Sequence, residues 1–165
     1  MNSDVAVGEG PRLVPTEDGN ALLFLAPYRG AIDLWRLGVA DEALERLTSG
    51  EHYLSAFDAV DHGPEGTDVL SIRSTVTDLP DLAIGRAKPR SSRGSGSSRG
   101  SGGGLALDPV RITDLNGALV ADIELRHAVS RSVTVDEREI QGWLIAAGDG
   151  KHPAVVEIHG GPHTL

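Results

Sequence analysis

Leu22-Leu23-Phe24-Leu25 and, 47 residues further on, Val69-Leu70-Ser71-Ile72 are the two stretches on which the fold turns. The first sits in the apolar run Ala21–Ala26, bounded by Asp18-Gly19-Asn20 and by Pro27, which suits a short buried strand better than a helix. Ala31 to Leu37 reads as the next strand, and Pro27-Tyr28-Arg29-Gly30 between them as a tight turn, so the pair is expected to form a hairpin. Glu42 to Leu47 is too short and too charged for an amphipathic helix and is closed by Thr48-Ser49-Gly50, which favours a third strand. Asp33-Leu34 then matches Asp81-Leu82 at an offset of 48. Arg46-Leu47-Thr48 matches Arg111-Ile112-Thr113 at 65, an excess of 17 over the period.

That excess has a visible source. Ser91 to Gly104 contains only Ser, Arg and Gly, with no apolar side chain to bury, and Lys88 to Gly104 is 17 residues. Removing it restores the period, so 88–104 is expected to be a disordered insertion between the third and fourth strands of a second repeat unit. A period in the forties with about four short strands per unit is the signature of propeller blades, whose sheets bury their faces only by stacking. Two units fall short of the roughly 4 to 8 that close a ring, so residues 12–118 are expected to be a partial β-propeller.

Composition bounds the chemistry. A net charge of −9 argues against a general nucleic-acid or anionic-membrane surface, and the absence of cysteine excludes disulfides, thiolate zinc sites and a cysteine nucleophile. No apolar run approaches the roughly 20 residues of a membrane helix, and residues 1–11 have no basic, then apolar, leader pattern. A cytoplasmic protein without a membrane span or cofactor is expected.

Beyond Asn116 the pattern changes. Leu119–His127 reads as a connecting strand or helical turn. Ser132-Val133-Thr134-Val135 alternates as a half-buried strand, Asp136-Glu137-Arg138 is a turn, and the stretch from Ile140 to Ile145 is the returning strand. Gly148-Asp149-Gly150-Lys151 is another turn, and Pro153–Ile158 reads as a buried strand running into His159-Gly160-Gly161-Pro162-His163. Paired glycines after such a strand let the chain turn sharply with no Cβ in the way, so that a main-chain N–H can face a cleft and hold the negative oxygen of an acyl-transfer intermediate.

Glu139-Ile140-Gln141-Gly142-Trp143-Leu144, followed by Pro153-Ala154-Val155-Val156-Glu157-Ile158-His159-Gly160-Gly161-Pro162-His163, resembles the start of the hydrolase domain of prolyl-oligopeptidase-like serine peptidases, closest to the acylaminoacyl-peptidase and dipeptidyl-aminopeptidase branch. The resemblance covers about residues 119 to 165 and, by pattern only, 20 to 116. It departs at Glu137, where that family's hairpin often has Gly. It implies a mainly β chain holding the last blades of a β-propeller (12–118) and the first strands of an α/β-hydrolase domain (119–165), both incomplete. It implies a peptide substrate for the complete protein. It places the oxyanion-hole N–H on Gly161, since Pro162 has none, with Gly160 and His159 shaping the loop. The triad Ser, Asp and His of that fold come after the oxyanion strand and are not in this stretch, so the chain as given is expected to be inactive.

Three other patterns in the sequence carry no chemistry. Gly96-Ser97-Ser98-Arg99-Gly100 satisfies G-x-S-x-G, but its flanks are Ser, Gly and Arg rather than the strand and helix that strain a nucleophile elbow, and it precedes the oxyanion strand, so Ser98 is not a nucleophile. His152, His159 and His163 suggest a metal, yet Gly160, Gly161 and Pro162 prevent one helix face from presenting the last two. The Arg/Ser/Gly stretch has five cations nearby and no Phe or Tyr to stack on bases, which makes it a solvated linker rather than an RNA-binding arm. Trp35 and Trp143 are expected in core or interface positions. The alternative to the peptidase reading is a stand-alone β-rich interaction module with a flexible basic arm.

Overall fold

The computed structural model describes residues 12–62, 65–87, 107 and 109–158. The chain is mainly β, as the alternation predicts. Its first meander comprises β1 (Val14–Pro15), β2 (Ala21–Tyr28), β3 (Ala31–Gly38) and β4 (Leu44–Arg46), each antiparallel to its neighbour. The expected hairpin is present. Arg29 (φ 50°) and Gly30 (φ 78°) make its two-residue loop, and a left-handed pair of this kind matches the twist of the strands it joins. Trp35 lies edge-on to Tyr28 at 5.9 Å and donates its indole N–H to Ala26 O. The expected third strand is β4.

The second meander repeats this plan with β5 (Tyr53–Asp61), β6 (Thr67–Ser74), β7 (Asp81–Ala87) and β8 (Val110–Arg111). One parallel bridge, Ile32↔Tyr53, joins the two, helped by the main-chain bond from Leu107 N to Leu47 O at 2.8 Å. Between β3 and β4 lie five residues, 39–43, and between β7 and β8 lie 22, residues 88–109. Taking 17 from the longer connection leaves five, the same as the shorter one. The 88–104 stretch itself, Ser98 included, lies outside the described residues.

The core sits where the meanders face each other. Leu23, Leu34 and Leu47 of the first pack with Leu54, Phe57 and Val69 of the second, and Leu107 closes the same cluster. Burying a side chain of this size stabilises by about 1.5–3 kcal/mol, so the core shared by the two meanders, which the β3–β5 bridge joins into one eight-stranded sheet, rather than either meander alone, holds the fold.

After α1 (Gly117–Val120), a single turn that overlaps the expected Leu119–His127 segment only at Leu119 and Val120, comes a separate two-stranded sheet of β9 (Val129–Val135) and β10 (Arg138–Leu144). It is the hairpin the alternation predicts. Asp136 (φ 48°) and Glu137 (φ 63°) form its loop, so the position that the resembled family often fills with Gly does require a left-handed backbone, which Glu137 adopts. The strand expected over Pro153–Ile158 is not formed. Val155 is 97% exposed, Val156 80% and Ile158 88%, and no described strand pairs with them. A buried strand exists only through neighbours on its edges and faces, and apolar sequence alone does not supply them.

Candidate functional site

His159, Gly160 and Gly161, the residues expected to form the oxyanion loop, lie outside the described residues, as does His163. The approach to them, residues 151–158, runs exposed from the turn at Gly148 and Gly150, both at positive φ. His152 is exposed there, its ring nitrogen 3.0 Å from Asp149 O. Among the described residues no three His, Asp or Glu side chains cluster so as to hold a metal ion.

Upstream, the hairpin β9–β10 makes a specific joint with the first meander. The Trp143 ring lies over Gly30, close enough that a Cβ at that position would overlap it. Beside it, the Gln141 amide donates to Arg29 O at 3.2 Å and to Ser130 Oγ at 2.9 Å. Trp143 is therefore an interface residue, as expected. The joint borders a cavity of about 290 Å³ whose walls include Trp143, Gln141, Tyr53, Thr75 and His52. A cavity of this size suits a small ligand or a single side chain.

Behind this cavity lies a buried polar cluster that the repeat had marked without revealing its role. Thr48 Oγ1 donates to Asp33 Oδ1 at 2.8 Å and accepts from Leu34 N at 3.0 Å. Arg46 approaches Asp33 Oδ2 at 3.6 Å and stacks on Tyr28 with its guanidinium 4.3 Å from the ring centre. The second meander repeats the arrangement. Thr113 Oγ1 donates to Asp81 Oδ1 at 2.6 Å and accepts from Leu82 N at 2.9 Å, while Arg111 approaches Asp81 Oδ2 at 3.7 Å. In each unit the threonine ties the strand leaving the Arg-x-Thr stretch to the Asp-Leu strand beside it. The Asp81 carboxyl is held below the ordinary value, first by the Leu115 N–H and then by Thr113.

The first cluster adds His52, buried, with Nε2 3.0 Å from Asp33 Oδ1 but without the alignment of a full hydrogen bond. Burial pushes its pKa below the ordinary 6.5 against the pull of Asp33, and Arg73 and Arg46 add to the depression. Threonine, histidine and aspartate thus meet in one place, but not as a nucleophile and its base. The hydroxyl proton goes to Asp33, the hydroxyl oxygen accepts from Leu34 N–H, and all three side chains are buried. The cluster is a structural latch.

No helix among the described residues is long and apolar enough to cross a membrane. Set against models of known protein families the chain matches none, and a search of curated proteins likewise finds no match.

Proposed function

We propose that these residues form two adjacent propeller-type blades and the opening strands of an α/β-hydrolase domain in a prolyl-oligopeptidase-like serine peptidase of the cytoplasm. The observation that carries this reading is the repeat in three dimensions. Two four-stranded meanders share one apolar core, each with the same Asp/Thr/Arg latch, and a separate hairpin follows them, docked through Trp143 onto the first. A blade pair followed by a new sheet is the order of domains in that family.

In this reading the substrate is a peptide, and neither nucleic acid nor a membrane is a partner. The chemistry is acyl transfer. A serine from outside these residues attacks the scissile carbonyl, a histidine moves its proton and an acid orients the histidine. The part assigned here belongs to the loop after Ile158. Gly161 supplies the N–H for the developing oxyanion, a role that glycine, with no Cβ to obstruct the main chain, suits at 160 and 161.

Three experiments test this. A fluorophosphonate probe is expected to leave the 165-residue chain unlabelled, and labelling at one serine would refute the reading. The coding frame past Leu165 is expected to run through an apolar strand into Gly-x-Ser-x-Gly and later a histidine; an immediate stop favours an interaction module instead. In the encoded polypeptide Gly161→Pro, which removes the N–H, is expected to lower kcat about 10²–10³-fold with Gly161→Ala, which keeps it, far milder. Equal kcat for Gly161→Pro and the unaltered enzyme overturns the assignment.

A further inference from the structure

Strand alternation gives the β9–β10 hairpin two unlike faces. Val129, Val133, Ile140 and Leu144 share one, and Ser130, Ser132, Gln141 and Trp143 share the other. The second face is turned to the meanders, where Trp143 covers Gly30 and Gln141 bonds Arg29 O, and it closes one side of the cavity of about 290 Å³. The other walls come from stretches far apart in the chain: the β2–β3 loop, the start of β5 with His52 and Tyr53, and the segment leaving β6 with Val76. Ligand sites favour such meeting points of separate units. Trp143 is 50% exposed and Tyr53 48%, so broad apolar wall is left uncovered.

The polar groups in these walls are oriented by bonds they already make. Gln141 Nε2 gives one hydrogen to Arg29 O at 3.2 Å and the other to Ser130 Oγ at 2.9 Å. Because Arg29 O can only accept, the amide has one orientation, and Oε1 is left as an acceptor. Ser130 Oγ, having accepted, keeps its own proton, and among the described residues no group takes it. At the buried wall, the carboxylate of Asp33 lies 3.0 Å from His52 Nε2 and draws the ring's single proton there. Nδ1 is then an acceptor on the side of Gly50, another wall residue, whose Cβ, were there one, would stand 3.5 Å from it. Arg29 and Glu51 add one charge of each sign to the walls. The burial that keeps His52 uncharged also opposes a charged ligand beside it.

We infer that this cavity binds a neutral, amide-bearing apolar residue, with an aliphatic side chain against Trp143 and Tyr53, an amide N–H given to Gln141 Oε1 or His52 Nδ1, and a carbonyl oxygen accepting from Ser130. A peptide with an aliphatic side chain, its main-chain amides uncharged, has this chemistry. The site uses no residue of the loop after Ile158, so its failure leaves the peptidase reading untouched.

The test is a titration of the 165-residue chain with N-acetyl-L-leucinamide, followed by NMR at the Gln141 side-chain amide and the Trp143 indole N–H. Both signals are expected to move with a dissociation constant of about 1 mM or tighter, while the Trp35 indole, bonded to Ala26 O, stays in place. N-acetyl-L-leucine, with a carboxylate, L-leucinamide, with an ammonium, and acetamide, with no side chain, are each expected to bind at least about 10-fold more weakly. Silence of both signals at about 20 mM overturns the inference, as does movement at Trp35 instead of Trp143. Equal or tighter binding of either charged compound refutes the neutral ligand, and equal binding of acetamide refutes the apolar contact. With far-UV circular dichroism unchanged, Tyr53→Ala is expected to weaken binding about 10-fold and Ser130→Ala about 3–10-fold. Unaltered affinity in both folded variants places the compound elsewhere and overturns the site.

Discussion

Thr48→Val tests whether the buried latch holds the first meander together. The side chain is 1% exposed and nearly isosteric with valine, so the substitution opens little cavity. It removes both bonds of Oγ1, the one given to Asp33 Oδ1 at 2.8 Å and the one received from Leu34 N at 3.0 Å. Asp33 is then left with Arg46 at 3.6 Å and the poorly aligned His52, and Leu34 N–H with no partner. An orphaned buried group costs about 1–3 kcal/mol, more when charged, which puts the substitution at about 3–5 kcal/mol. Thr113→Val is the internal control. Its surroundings are half-buried, and Asp81 Oδ1 keeps the Leu115 N–H at 2.9 Å, so about 1–2 kcal/mol is expected. Urea unfolding with an unchanged m-value reads both. Equal costs for the two substitutions, or a larger one at Thr113, refute the reasoning that burial sets the strength of the latch.

Three further outcomes follow from other parts of the fold. Because His52 is buried with a folded-state pKa below its unfolded value of about 6.5, its contribution is full above that pH and is lost as the pH falls; urea midpoints taken between about pH 7.5 and 5.5 are expected to decline, and His52→Gln to flatten that decline. Gly30→Ala places a Cβ against Trp143 at a positive φ, so it is expected to cost about 1–2 kcal/mol from the backbone alone, and to shift tryptophan emission to the red as the hairpin lifts. Emission like that of the unaltered protein means that the joint does not depend on the close approach. Glu137→Gly relieves a left-handed residue in the β9–β10 loop and is expected to stabilise the chain by about 1 kcal/mol in thermal unfolding; destabilisation contradicts that geometry.

Alternation and turn chemistry made much of this fold legible. Hairpins β2–β3 and β9–β10 follow directly from apolar periodicity and their short loops, and matching Asp-Leu with Arg-x-Thr across the repeat locates both latches before their bonds are seen. β5 is the strand that periodicity does not identify. Its register slips between Leu54 and Ala56, so Leu54 and Phe57 both face the core although their spacing is odd, and a bulge of this kind erases the period of two. Val155, Val156 and Ile158 mislead in the opposite direction, because their apolar run is a demand for neighbours rather than a guarantee of them. The latch was legible as a repeat and not as chemistry, since nothing in Asp33, Thr48 and His52 as a sequence says which oxygen receives which proton.

The unequal connections of the two meanders bear on how freely the chain can grow. Treated as a closing chain, lengthening a loop from the five residues between β3 and β4 to the 22 between β7 and β8 costs only about 1.3 kcal/mol in entropy, since the penalty rises with the logarithm of length. Doubling the longer loop again adds only about 0.6 kcal/mol. The end of β7 is thus a place where chain length is thermodynamically cheap, and a folded guest whose termini lie close together can be spliced there without the meander losing its register.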